Sequence, residues 1–167
     1  MNTPITLAAA ALLASTTLHA NQLTNPGFES EFHEWKVQEK QPVSSVTQEA
    51  ARSGSSGLHL SGPGARIESE RLEILPGQKA TLEFWARATA NGLGVVMLVP
   101  YGGNKRPILN EKANPPVIVV VKKSAEWVPY KVEFPSPEEA TSIGIWIRSW
   151  SRSKGEADLD DFSLKIE

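Results

Sequence analysis

The chain has 167 residues, room for one domain with a real core and hardly for two. Its 40% hydrophobic and 22% charged content is globular and excludes a disordered chain. A net charge of −2 without a Lys/Arg run argues against nucleic-acid binding, and the absence of cysteine excludes disulfides, thiolate metal sites and a cysteine nucleophile.

Residues 1–20, MNTPITLAAAALLASTTLHA, hold an apolar run from Ile5 to Leu13 that is too short to span a bilayer, and Ala20 offers a small residue before Asn21. A signal peptide over 1–20 is expected, with a secreted or periplasmic domain over 21–167. From there the chain reads as strands separated by turns about every ten residues. GLHLSG alternates Leu58 and Leu60 against His59, and RIESERLEIL alternates again before the Pro76-Gly77 turn. ATLEFWARA places Ala80, Leu82, Phe84 and Ala86 on one face and Glu83, Trp85 and Arg87 on the other. GVVMLVPYG and VIVVVKK are continuous apolar runs that suit strands covered on both sides or central in a sheet. WVPYKVEF alternates, with Pro129 favouring an edge position. SIGIWIRSW sets Ile143, Ile145 and Ile147 opposite Trp146, Arg148 and Trp150. LDDFSLKI closes the chain, and its alternation turns Asp160 inward with Phe162 and Leu164. Helix signals are weak. About eight short strands predict an all-β fold, a β-sandwich of jelly-roll kind, with 102–116 as a surface loop.

A saccharide ring stacks its apolar face on an aromatic plane and hydrogen-bonds through its hydroxyl rim. Two outward sets have that composition. Trp146, Arg148 and Trp150 lie on one strand, and Glu83, Trp85 and Arg87 on another, with His59 sharing their polarity. If these strands share a sheet they form one groove, with Tyr101 at its edge. Arg87 and Arg148 would then suit uronic acids. Trp35 and Trp127 read as core residues, and Trp85 divides evenly between core and surface.

LTNPGFES followed by Trp35, ARSGSSGLHLSG, PGQKATLEFWARA, WVPYKVEF and DLDDFSL occur in one order. That series resembles the carbohydrate-binding module group that includes families 4, 9 and 22, a galactose-binding-like jelly roll. The resemblance implies glycan binding on the concave sheet face. It also implies a structural Ca2+, carried here onto Glu29 and Asp160 with the backbone of Ser53 and with Asp161 beside them. Such an ion would clamp the two ends of the sandwich. Without it, Asp160 and Asp161 would be solvated or paired with arginine.

No metal-binding histidine pair, nucleophile elbow or phosphate loop accompanies these strands. The expected activity is therefore non-catalytic binding of a polysaccharide or oligosaccharide. The alternative is a structural or adhesive module whose tryptophan face contacts a protein partner. A lyase built on Arg148, His59 and Tyr101 is the minor enzymatic reading.

Overall fold

The computed structural model describes residues 21–150, 152 and 154–167, so the expected signal peptide lies outside the described residues. The described residues form eleven strands: β1 (Trp35–Val37), β2 (Ser44–Thr47), β3 (Gly57–Leu60), β4 (Arg66–Ser69), β5 (Leu72–Glu73), β6 (Lys79–Ala88), β7 (Val95–Gly102), β8 (Val117–Val120), β9 (Ser124–Pro135), β10 (Ala140–Arg148) and β11 (Ala157–Ile166). No helix occurs among the described residues. The strands form two antiparallel sheets: a six-stranded sheet ordered β1-β4-β10-β7-β8, with β5 also on β10, and a five-stranded sheet ordered β2-β3-β11-β6-β9. The chain is an all-β sandwich of jelly-roll type.

Alternation fixes the core. Ile143, Ile145 and Ile147 of β10 and Val96 and Leu98 of β7 face Leu82, Phe84 and Ala86 of β6 and Leu159, Phe162 and Leu164 of β11, all fully or almost fully buried. An aromatic ladder runs through one end. Phe28 lies 4.8 Å from Trp35, Trp35 5.5 Å from Phe162, Phe162 5.2 Å from Phe84, and Phe84 5.0 Å from Tyr130. The LTNPGFES turn delivers Phe28 to that ladder. Asn25, buried, donates to the carbonyls of Glu31 and His33, accepts from the Ser30 N–H, and its own carbonyl accepts the Trp35 indole N–H at 2.8 Å. A buried amide so fully matched fixes the turn that a buried unmatched one would break.

Three strand-level expectations change. VIVVVKK contributes β8, a half-exposed edge strand, because its outer neighbour is solvent; only β7, between β10 and β8, is covered on both faces. RIESERLEIL is two strands, because the ladder to β10 breaks between Ser69 and Leu72. Trp127 stands on the outer face of β9, half-buried, with the Arg87 guanidinium 4.9 Å from its ring. β9 itself is an edge strand, the place its Pro129 requires.

Candidate functional site

On the outer side of the six-stranded sheet, Tyr101, Val99, Met97 and Val95 of β7 pair with Ser142, Gly144, Trp146 and Arg148 of β10, and β4 adds Glu68 and Arg66. Val95, Val99 and Tyr101 are buried, yet they do not belong to the interior core. Over Tyr101 the cover is Arg71. Arg71, in the break between β4 and β5, crosses β10 above Gly144: its Cγ lies 3.6 Å from where a β-carbon on that glycine would be. Its guanidinium rests 3.7 Å above the Tyr101 ring, and Nη1 donates to the Lys105 carbonyl.

Trp146 is half-buried and donates its indole N–H to the Tyr101 hydroxyl at 2.7 Å. Arg148 lies 4.7 Å from the Trp146 ring, donates to Glu68 Oε1 at 2.8 Å and to the carbonyl of Ile67. A row Glu68–Arg148–Trp146–Tyr101–Arg71 thus spans the sheet, each member fixed by the next. Burial raises the Tyr101 pKa, so the phenol keeps its proton. Burial also pulls the Arg148 pKa down from its ordinary value, against the opposing effect of Glu68. The arrangement offers a pre-oriented aromatic edge with polar groups beside it, which lowers the ordering cost of binding.

The eight expected ligand residues do not form one groove. β10 and β7 belong to the six-stranded sheet, whereas β3 and β6 belong to the other, so His59, Glu83, Trp85 and Arg87 lie on the opposite face of the sandwich from Trp146, Arg148 and Tyr101. On that second face Asp158 accepts from His59 Nδ1 and Arg87 Nε, both at 2.8 Å; Lys131 pairs with Glu83, whose pKa this bond lowers; and the Arg52 guanidinium covers Trp85 at 3.7 Å. Arg87 and Arg148 are each paired with a carboxylate, Asp158 and Glu68. The trio of the lyase reading is divided between the two faces. Tyr101 is 2% exposed, a floor residue and not a groove edge, and Trp150 lies two residues past the end of β10, 48% exposed. Arg71 and Glu68 were missed. Glu68 is legible in the alternation of RIES, but no period predicts Arg71, because the strand break decides where it points.

The expected calcium residues are brought together, in an altered arrangement. The register between β11 and β6 shifts after Asp160, and Asp161 has φ 52°. This bulge gives Asp160 the parity of Trp85 on the outer side, not that of Phe162. It is buried because the 52–56 turn folds over it: Oδ2 accepts the backbone N–H of Arg52 at 2.7 Å and of Ser53 at 3.2 Å, and Oδ1 that of Asp161 at 2.7 Å. Burial still raises its pKa, which those three bonds oppose. Glu29 accepts from the Ser55 hydroxyl, whose bond is the main cause of its lowered pKa, and from the N–H groups of Ser55 and Ser56. Asp161 is taken by the Arg52 guanidinium and the Ser53 hydroxyl, both at 2.5 Å. Among the described residues no three acidic or imidazole side chains converge on one point as metal ligands. Of the expected ligands, Glu29 and Asp160 are the pair that approach each other. A methyl carbon on Gly27 would lie 3.4 Å from Asp160 Oδ1 and 3.8 Å from Glu29 Oε1, so both carboxylates border the same small space. Asp161 does not fit, since a cation there would meet the guanidinium. Hydrogen bonds join the 21–26 segment to β11: Asn21 binds both the Phe162 carbonyl and the Leu164 N–H, and the Phe162 N–H donates to the Pro26 carbonyl.

The structure is similar to a family 16 carbohydrate-binding module, with TM-score 0.64 and 21% identity over 86% of this chain and 99% of that one. The fold is that of a carbohydrate-binding module. A family 61 module solved with β-1,4-galactotriose gives 0.56 at 23% identity, covering 88% of this chain and 99% of the module. The C-terminal family 22 module of Clostridium thermocellum Xyn10B gives 0.57 at 15%, covering 84% and 90%. The same module fold occurs within larger chains: the enzymatically active domain of a bacteriophage CBA120 tailspike aligns at 0.65 and 16% identity over 22% of its length. No family model matches the sequence, and no curated protein does. At these identities the likeness establishes the module fold, and the ligand must be argued from side chains.

Proposed function

We propose that this domain is a non-catalytic binder of a polysaccharide or oligosaccharide chain, and that the chain lies across the outer face of the six-stranded sheet with Trp146 as its stacking platform. The observation that carries the reading is the fixed row around Trp146: an indole held by Tyr101, flanked by an ion pair, above a buried layer outside the core. Such a row needs no reordering when a sugar arrives. The module fold, shared with a domain solved on galactotriose, supports the ligand class. Export belongs to this reading, on the strength of the apolar stretch at 5–13.

The test is gel retardation of residues 21–167 in soluble β-glucan, xylan and galactan, with Trp146→Ala alongside. Retardation in one polymer, weakened about tenfold in the variant, is expected; an aromatic contact is worth about 0.5–1.5 kcal/mol beyond the area it buries, and 1.4 kcal/mol is about tenfold. Unretarded migration in every neutral polymer would contradict the reading and transfer the face to protein contacts. A melting curve of the variant separates lost binding from lost folding.

A structural calcium, if bound, would be held by Glu29 and Asp160 with backbone carbonyls completing its shell. Its contribution would be to neutralise a buried carboxylate whose pKa is raised by burial. At free calcium a hundredfold above the dissociation constant it adds about 2.7 kcal/mol. The expected result is a higher Tm in calcium than in EDTA, abolished by Glu29→Gln; an unmoved Tm would contradict it.

A further inference from the structure

One end of the sandwich carries an exposed tryptophan among unpaired cations. Ser149 anchors it: the hydroxyl donates to the Gly62 carbonyl and accepts from the Ala65 N–H, and its carbonyl accepts from the Gly64 N–H. The next residue, Trp150, donates its N–H to the Gly92 carbonyl, while the Gly92 N–H donates to the Val121 carbonyl and Asn91 Oδ1 accepts the Lys123 N–H. Trp150 is thereby held between the 62–65 turn, beside Arg66, and the 121–123 turn with Lys122 and Lys123. Arg152 and Lys154 follow it in its own loop.

Two contrasts separate this end from both sheet faces. On the faces the guanidiniums of Arg52, Arg87 and Arg148 each have a carboxylate partner and that of Arg71 is held by the Tyr101 ring and the Lys105 carbonyl, whereas Arg66, Lys122, Lys123, Arg152 and Lys154 have no carboxylate partner among the described residues. The acids at this end are Glu39, whose oxygens are engaged by Val43 and Ser44, Asp158, which His59 and Arg87 engage, and Glu126 and Glu156. The second contrast is the indole. Trp35 is packed in the core and Trp85, Trp127 and Trp146 each carry a guanidinium against the ring; Trp150 alone, among the described residues, has neither. Beside Lys123 opens a cleft of about 460 Å³ lined also by Arg87, Thr89, Ser124, Glu156 and Asp158. Five cations without a carboxylate partner thus lie at the same end as the exposed Trp150.

We propose that this end is a second binding site, for an acidic polysaccharide of the polyuronate kind, with a ring stacked on Trp150 and its carboxylates paired with the surrounding lysines and arginines. A polyuronate supplies both things the patch is built for: an apolar ring face and a regular row of anions. The site shares no residue with the Trp146 row and stands or falls independently of it.

The probe is sodium polygalacturonate, in a retardation gel with wild type, Trp150→Ala, the double variant Lys122→Ala/Lys123→Ala, and Trp146→Ala. Wild type and Trp146→Ala are expected to be retarded, and both variants at this end to lose most of that retardation. Because the cations are exposed, affinity should fall about tenfold or more between 50 and 500 mM NaCl. Unretarded wild type overturns the proposal. Retardation that survives Trp150→Ala, or that poly-glutamate reproduces, overturns it in favour of unspecific charge attraction. Trp150-dependent capture by phosphatidylglycerol vesicles without polygalacturonate binding overturns it in favour of a membrane surface. Loss of polygalacturonate binding in Trp146→Ala alone places the acidic chain on the sheet face and overturns it too.

Discussion

Asp160 shows how one side chain joins distant parts of the sequence. Its oxygens close the backbone N–H groups of Arg52, Ser53 and Asp161, so the 52–56 turn is fixed onto β11 across more than a hundred residues. Asp160→Ala leaves three donors without a partner in a site the turn shields from water. At about 1 kcal/mol each the expected loss is about 3 kcal/mol. For a domain of this size that lowers Tm by about 6–12 °C. A thermal melt within about 2 °C of wild type would contradict that role. Sequence reading found the residue and its burial but gave the wrong cause. Alternation cannot register a bulge, so it turns Asp160 toward the face of Phe162, whereas in the fold it shares that of Trp85.

Among the strands, β10 was the most legible and also the most misleading. Its three isoleucines and its outward Trp146 and Arg148 follow from a period of two. Which sheet it joins does not, because pairing partners are chosen by long-range packing that a local pattern does not encode. Placing it beside β6 would have merged two faces that the sandwich keeps apart. Gly144 carries a similar lesson. In the sequence it is a gap in the outward row; in the fold it is the gap through which Arg71 reaches Tyr101. Gly144→Ala adds only ordinary contacts, 3.4 Å to the Glu70 carbonyl and 3.6 Å to Arg71 Cγ, and is expected to leave stability and glycan retardation intact. Gly144→Val extends further and should lift Arg71 from the ring, lowering Tm and weakening retardation several-fold. Indistinguishable Ala and Val variants would contradict the crossing.

Across the whole molecule, aromatic residues and cations are distributed over three surfaces with different chemistry. The five-stranded face is closed by its own ion pairs, the six-stranded face presents a fixed Trp146, and the loop end leaves cations without partners. The jelly roll was legible from strand count and motif order, since both depend on local signals. The assignment of charges to partners was not, because a carboxylate's partner is set by the fold. The pairs Arg87–Asp158 and Arg148–Glu68 are of that kind. The free cations are others, in turns that show no pattern in the sequence.

The central claim, that the glycan lies on the six-stranded face, is tested most directly by the indole N–H signals in a 1H–15N spectrum of residues 21–167. The chain has five tryptophans, and their indoles occupy different environments: Trp146 is bonded to Tyr101, Trp35 to the Asn25 carbonyl, Trp85 and Trp127 lie on the other sheet, and Trp150 stands at the end. On titration with a neutral oligosaccharide that retards the domain, the Trp146 signal is expected to move while Trp85 and Trp127 stay. Movement of Trp85 and Trp127 with Trp146 unchanged would place the ligand on the opposite sheet and contradict the account.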